Sequence, residues 1–165
     1  MVLDKIILYV YTYNMSNSTA KPKLAIAHQV PITCMGLHVR RASRIMSQLY
    51  DAAFRPVGLV QPQFTLLVAI HLLEPVAITQ LAQELFIDQT TITRNIKLLE
   101  KRGLVEVNSG DDRRIKLLSL TVDGQVILEQ ALPLWEKTQT EVRQHFGQEK
   151  WQMLLSLLSE VKNLI

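Results

Sequence analysis

The sequence predicts a mainly α-helical protein that carries one small β-hairpin. From Cys34 onward, apolar residues recur at helical spacing in several segments whose ends are marked by Gly or Pro. A turn-rich stretch at 108–112 separates two β-prone runs, as is typical of a hairpin loop. With 165 residues, 48% of them hydrophobic, the chain suits one domain with additional helices and is too apolar to be disordered.

Composition and charge exclude some classes of protein without naming a partner. One cysteine rules out an intramolecular disulfide framework and a Cys-rich zinc site. The formal net charge of +3 is only mildly basic, but it is unevenly distributed. Residues 88–121 contain seven basic and five acidic residues, residues 34–56 four basic and one acidic, and residues 122–165 four basic and six acidic. The basic surplus therefore lies away from the C-terminal quarter.

Residues 1–33 show no helical period, and we interpret them as an N-terminal extension of uncertain structure. The apolar run at 6–11 is far shorter than the roughly 20 residues that a membrane span needs. The first residues lack the net positive charge of a signal peptide, and Met15 remains open as an alternative start. We therefore expect a cytoplasmic protein with no membrane partner.

A long helix is predicted over residues 34–56. Its apolar residues recur at alternating steps of four and three, which forms a narrow seam that favours a second helix beside it. The seam consists of Met35, Val39, Ala42, Met46, Leu49 and Ala53. Pro56 ends the helix because proline disfavours helical geometry in the residue before it.

Three further helices are predicted between Gly58 and Gly103. The first, with Pro62 in its first turn, is apolar nearly all round at 64–70 and should be buried. A short helix at 79–85 follows, with Leu81, Ala82 and Leu85 directed inward, and Phe86 and Ile87 form a tight connection. Asp88 is a suitable N-cap for the third helix, at 89–102, and Gly103 ends it.

The hairpin and two more helices complete the chain. Strands are predicted at 104–107 and 115–120, and Thr121 with Asp123 begins a long helix in which Pro133 predicts a bend. Gly147 ends that helix. The last helix, at 149–165, carries a strong apolar stripe formed by Trp151, Leu154, Leu155, Leu158, Val161 and Ile165.

The helix at 89–102 has two contrasting faces. Ile92, Ile96 and Leu99 lie on one side, and the other side carries Thr90, Thr93, Arg94, Lys97 and Lys101. Short polar groups followed by cations suit a helix that lies in the DNA major groove, although an ordinary solvated face has the same pattern. Two helices joined by a short turn and followed by a hairpin are the order of a winged helix-turn-helix domain.

The tip of the hairpin favours the DNA-binding interpretation. Arg113 and Arg114 project between two strands, where an arginine can enter the negative minor groove, and Asp112 could hold one guanidinium. The alternative is a solvated turn with a surface ion pair of little energetic weight.

The sequence resembles the MarR-type transcriptional regulators. Residues 112–114 with Leu120 and Thr121 resemble that family's wing signature, and the matching motifs span about 34–165. The helix-turn-helix resemblance is carried by residues 81–85, 90–94 and 99–105, and that of the first two helices by 40–44, 48–51, 58–59 and 63–64. Phe86 departs from the family, in which glycine is common at this turn, and we expect its ring to pack on the core.

The resemblance implies a repressor that binds double-stranded DNA at a near-palindromic operator as a homodimer. It implies dimerisation helices at 34–56 and 122–165 and a winged helix-turn-helix domain at 57–121. Arg114 would enter the minor groove with Asp112 as its brace. Bases and backbone would be contacted by Gln89, Thr90, Thr91, Thr93 and Arg94, and phosphates mostly by Lys97, Arg113 and Lys116.

Two kinds of signal are open for such a regulator. Cys34 stands at the start of a long helix near Arg40 and Arg41, a setting that favours the reactive thiolate, and it resembles in position the sensor cysteine of the hydroperoxide-responsive members. His38 stands where those members have an aromatic residue, and only a second subunit could supply another cysteine. The other signal is a small anionic aromatic molecule. Its crevice would draw on His38, Arg41, Tyr50, Phe64, His71 and Trp135, each of which could equally be an ordinary packed residue.

Enzymatic activity is not expected, and neither is a cofactor. The four histidines lack zinc-ligand spacing, and neither a Gly-rich phosphate loop nor a Gly-x-Ser-x-Gly motif is present. The stronger alternative is a helical protein-interaction adaptor that keeps the fold without reading DNA sequence.

Overall fold

The computed structural model describes residues 22–110, 112 and 114–164, in two units that comprise residues 1–46 and 47–165. The helix that begins at Met35 belongs to the first unit over its N-terminal part and to the second from Ser47 onward.

The described part of the first unit consists of helical segments separated at Gln29 and Cys34. A 3-10 helix at Pro22–His28 precedes α1 (Val30–Thr33) and α2 (Met35–Phe54). Cys34 separates the last two because its backbone is extended, with a φ of −72° and a ψ of 103°. Its N–H still donates to the Val30 carbonyl, and its carbonyl accepts from the His38 N–H. The helical turns before Cys34 were not predicted, since segments of four to seven residues are too short to show a helical period.

The second unit contains five helices and a three-stranded sheet among its described residues. The helices after α2 are α3 (Gln61–Leu73), α4 (Ile78–Glu84), α5 (Gln89–Lys101), α6 (Val122–Phe146) and α7 (Gln148–Glu160), with 3-10 turns at Arg55–Val57 and Val161–Leu164. The strands are β1 (Val76–Ala77), β2 (Val105–Ser109) and β3 (Lys116–Leu120). The sheet is antiparallel in the order β1-β3-β2, with Leu118 opposite both Val76 and Val107.

The core of the second unit lies between α3, α4, α5, the sheet and the beginning of α6. Phe54 and Phe64 stack with ring centroids 4.4 Å apart. The largest fully buried side chains are Phe54, Leu67, Ile70, Leu81, Ile92, Leu99, Leu118 and Val76. Helix α3 contributes on nearly all sides, which explains why its sequence is apolar all round.

The sequence prediction of a mainly helical protein with a hairpin is confirmed, and the differences are local. Helix α4 begins at Ile78 rather than Thr79. Strand β2 extends to Ser109, two residues further than predicted, and β3 begins at Lys116 rather than Ile115. Strand β1 was missed because two residues cannot show the alternation that identifies a strand. The last helix becomes 3-10 at Val161.

The outer faces of several helices carry large apolar side chains. Of the predicted stripe, Leu155, Leu158 and Val161 are exposed, Trp151 and Leu154 are half-buried, and Ile165 lies outside the described residues. Met153 and Leu157 are exposed as well. Among the described residues no single helix is long and apolar enough to cross a membrane. Only the successive stretches Met35–Val57 and Gln61–Leu73 meet that test when they are counted together.

Candidate nucleic-acid interface

Helix α5 is amphipathic in the way that its sequence predicts. Ile92, Ile96 and Leu99 are buried in the core, which turns the opposite side of the helix to solvent. A shallow concavity of about 460 Å³ on that side is lined by Gln89, Thr90, Thr93, Arg94 and Lys97. The structure thus brings together on one surface five of the residues predicted to contact DNA.

The N-terminus of α5 is fixed by its cap. The Asp88 carboxylate accepts a hydrogen bond of 2.8 Å from the Thr91 N–H. Hydrogen bonding to Thr91, through its side chain and its backbone, holds the pKa of the Asp88 carboxyl below the ordinary 3.8. Thr91 therefore takes part in the cap as well as standing in the first turn of the helix.

Two polar side chains of α5 bond to their own helix. The Thr93 hydroxyl donates to the Gln89 carbonyl at 2.7 Å, and the Asn95 amide donates to the Thr91 carbonyl at 3.0 Å. Because its proton is used in this way, Thr93 offers its lone pairs and its methyl group to a partner.

The hairpin formed by β2, β3 and their connecting loop, here called the wing, holds an ion pair at its tip. The Arg114 guanidinium contacts the Asp112 carboxylate through Nε at 3.2 Å and Nη2 at 3.0 Å, and the Arg114 N–H donates to the same group at 2.9 Å. These bonds lower the pKa of the Asp112 carboxyl. The Arg114 side chain is 90% exposed, so it is oriented by Asp112 and still reachable by a partner.

The rest of the wing tip is tied by short-range bonds. The Ile115 N–H donates to the Asp112 carbonyl at 2.8 Å, and the Gly110 N–H donates to the Ile115 carbonyl at 2.9 Å. Lys116 reaches the Ser109 hydroxyl across the strands at 3.0 Å. Arg113, also predicted to contact DNA, lies outside the described residues.

The turn between α4 and α5 has an unusual backbone conformation at Phe86. Phe86 has a φ of 51° and its side chain is 68% exposed, so the expectation that its ring packs on the core is wrong. The half-buried Ile87 packs against the core instead. A tight turn can direct only one of two successive side chains inward, which is the physical reason for the difference.

The wing and α5 are joined to the core by side-chain bonds that the sequence did not indicate. The Glu74 carboxylate accepts from the Leu120 N–H at 2.8 Å, which ties the end of α3 to β3. Arg102 donates to the Gly58 carbonyl at 2.8 Å. Both contacts link residues more than forty positions apart, beyond the reach of local sequence patterns.

Three of the residues predicted to form an effector crevice meet around a second cavity. Tyr50, Phe64 and Trp135 line a space of about 200 Å³ together with Phe54, Gln61, Thr65 and Gln139. Burial raises the pKa of the Tyr50 hydroxyl. His71 is not among the lining residues. Its Nδ1 lies 3.9 Å from the Glu74 Oε1 at the end of α3.

The other predicted signal residues, Cys34, His38 and Arg41, belong to the first unit. Cys34 and Arg41 are half-buried there. His38 is exposed, and its Nε2 lies 3.1 Å from the Ile32 carbonyl oxygen.

A polar-faced helix after a tight turn, followed by a wing with an oriented arginine, defines a winged helix-turn-helix DNA-binding protein. The sequence pattern of the MarR family matches residues 57–115. The transcriptional regulator MosR of M. tuberculosis, solved in complex with DNA, is 34% identical to this chain with a TM-score of 0.69, over 79% of this chain and 98% of MosR. The chain therefore belongs to the MarR family of transcription regulators.

More distant structures share the fold. A mutant MarR of E. coli complexed with operator DNA is 24% identical with a TM-score of 0.74, over 81% of this chain and 96% of that one. The transcriptional repressor CouR, bound to a 23-mer DNA duplex, is 23% identical with a TM-score of 0.74, over 87% of this chain and 99% of CouR. CouR has also been solved with p-coumaroyl-CoA.

Proposed function

We propose that this chain is a transcriptional repressor that binds a near-palindromic operator as a homodimer and is released by a small molecule or an oxidant. The observation that carries the proposal is the Asp112–Arg114 ion pair. It holds an almost fully exposed guanidinium at the tip of a wing that follows a cation-bearing helix.

The two parts of the interface divide the work. Helix α5 lies in the major groove, where Gln89, Thr90 and Arg94 reach base edges and Thr93 offers its methyl and lone pairs. Thr91, whose N–H is bonded to Asp88, contacts the backbone at the start of the helix. Arg114 enters the minor groove, and Lys97, Arg113 and Lys116 bind phosphates.

Homodimerisation through residues 34–56 and 122–165 would cover apolar helix faces that neither unit covers by itself. In the first of these segments the exposed side chains are Met35, Val39, Ile45 and Leu49, and in the second they include Leu155 and Leu158 of α7. A two-fold axis would place two α5 helices about 34 Å apart, one turn of DNA. The double variant Leu155→Glu/Leu158→Glu should raise the dimer dissociation constant in analytical ultracentrifugation.

The cavity beside Tyr50 is the effector site in this proposal. Its lining is mostly aromatic, and its size suits a small aromatic molecule. No lysine, arginine or histidine is among its lining residues, and the buried Gln139 Oε1 has no hydrogen-bond partner among the described residues. An aromatic ligand that donates a hydrogen bond therefore fits this cavity better than a bare anion does.

Oxidation of Cys34 is the other route to release. The residue is half-buried between α1 and α2, and a second copy would supply the partner thiol for an intersubunit disulfide. Peroxide should lower DNA affinity in the parent protein and leave Cys34→Ser unaffected. Equal loss of affinity in both proteins would remove Cys34 as a sensor.

The decisive experiment measures the affinity for DNA from upstream of the coding sequence by fluorescence anisotropy at several salt concentrations. A repressor's affinity should fall steeply with salt because phosphate contacts release counterions. Arg114→Ala should weaken binding about tenfold or more. Lys137→Ala, which removes an exposed cation from α6, is the matched control and should bind like the parent. A DNA affinity that changes neither with salt concentration nor in Arg114→Ala would favour the protein-interaction adaptor.

A further inference from the structure

Helices α4 and α5 end in the same backbone motif with different residues at its left-handed position. At the end of α5 the Leu104 N–H donates to the Leu99 carbonyl, and Gly103 between them has a φ of 72°. At the end of α4 the Ile87 N–H donates to the Ala82 carbonyl, and Phe86 has a φ of 51°. Glycine is the usual residue at this position because a Cβ is crowded there.

Two features of Phe86 are unfavourable for the stability of the folded chain. Its backbone lies in a region that disfavours bulky side chains, and its ring is 68% exposed to water. A glycine would form the same turn without either cost, as Gly103 does at the end of α5. A phenylalanine at such a position therefore indicates a role outside the folded chain itself.

The surroundings of Phe86 indicate what it meets. It stands three residues before Gln89, so its Cα lies within about 11 Å of the Cα at the start of the DNA-facing concavity. Its sequence neighbours Gln83, Glu84 and Asp88 are polar and exposed, and no other large apolar side chain of residues 74–97 is exposed. This segment therefore presents a single ring rather than an apolar patch of the size that protein partners need. The carboxylates of Glu84 and Asp88 would repel a DNA phosphate at this position. The ring is therefore expected to contact an apolar group of DNA instead.

We propose that Phe86 is a DNA-contacting residue whose ring packs against an apolar group of the operator, either a thymine methyl or a deoxyribose, beside the N-terminus of α5. Phenylalanine is among the side chains that contact the thymine methyl in the major groove. The proposal rests on the proposed DNA-binding function and adds to it a contact made by the turn itself.

The test compares two variants that keep the positive φ but remove the ring. Phe86→Gly and Phe86→Asn both suit a left-handed backbone, and asparagine controls for the added flexibility of glycine. Both should melt at or above the parent temperature while binding a duplex, selected by the parent from a random-sequence library, about three- to tenfold more weakly. Leu72→Asn removes an apolar side chain of similar exposure (72%) from α3 and should leave the affinity unchanged.

A second arm identifies the apolar group. Replacing thymines of the duplex one at a time by deoxyuracil deletes only the methyl. A position at which this weakens the parent but not Phe86→Gly assigns the contact to that methyl, and weakening by the variants without such a position assigns it to deoxyribose. Unchanged affinity in Phe86→Gly and Phe86→Asn, or an equal loss in Leu72→Asn, would overturn the proposal. A parent that selects no duplex would instead overturn the DNA-binding function.

Discussion

The Thr121 hydroxyl donates a hydrogen bond of 2.6 Å to the carbonyl of Gly103 and thereby joins the start of α6 to the end of α5. The same oxygen accepts from the Gly124 N–H at 3.0 Å, which caps α6. The Thr121 N–H also donates to the Leu104 carbonyl at 3.2 Å. One residue thus holds together the proposed DNA-reading helix, the end of the wing and the long C-terminal helix.

Thr121→Val should lower the free energy of unfolding by about 1–2 kcal/mol, because it removes the cap and the bond to Gly103 while keeping the branched shape. Urea unfolding followed by circular dichroism would measure the change. Thr121→Ser retains the hydroxyl and should stay close to the parent. Thr79→Val, at an exposed position of α4, controls for the substitution itself. A midpoint for Thr121→Val equal to that of Thr79→Val would contradict the prediction.

Gly124→Ala should destabilise the protein because an added Cβ would lie 2.0 Å from the Leu104 carbonyl oxygen. That atom belongs to the backbone between α5 and β2 and cannot move aside without distorting both. Overpacking of this kind costs about 1–3 kcal/mol, and thermal unfolding would report it.

Gly36→Ala is the matched control for Gly124→Ala. Gly36 is also helical, but no described atom lies within 4 Å of its added Cβ. Alanine there should stabilise α2 by about 0.5–1 kcal/mol, since it loses less backbone entropy on folding. If both variants changed stability in the same direction, the close approach of Gly124 to Leu104 would not be the cause.

The Asp112 carboxyl should titrate below 3.8, because the Arg114 guanidinium and N–H bind its charged form. NMR titration of the side-chain carboxyl would show this, and Arg114→Ala should move the pKa upward. The pair stays intact at every pH above the ordinary value and is lost only as the pH falls through the lowered one. Changes of pH near neutrality should therefore not alter DNA affinity by way of the Asp112–Arg114 pair. An Asp112 pKa that is the same in Arg114→Ala would show that the pair does not form in solution.

Asp88 should contribute stability at neutral pH that disappears in acid. Its pKa is lowered in the folded state, so the contribution is complete above 3.8 and is lost as the pH falls through the lower folded value. The urea midpoint of the parent should fall more steeply than that of Asp88→Ser between neutral and acidic pH, since serine keeps an uncharged cap. Parallel pH profiles for the two proteins would contradict this role of the charge.

Local sequence patterns were sufficient to predict most of the elements and the polar face of α5. The period of Ile92, Ile96 and Leu99 located the buried side, and with it the exposed cations. Asp88 was predicted as an N-cap and Thr121 as the beginning of α6, and both side chains accept a capping hydrogen bond from a backbone N–H three residues later. The Asp112–Arg114 pair is equally local, spanning two residues.

What only the tertiary structure decided are the contacts between distant parts of the chain. The sheet order places β1 beside β3, and Glu74 reaches Leu120. The cavity proposed as the effector site is lined by Tyr50, Phe64 and Trp135 but not by His71, because residues of α2, α3 and α6 are brought together by packing rather than by spacing. Phe86 shows the same limit within a single turn. The sequence indicated an unusual residue there, but the competition with Ile87 for the core decided that its ring faces water.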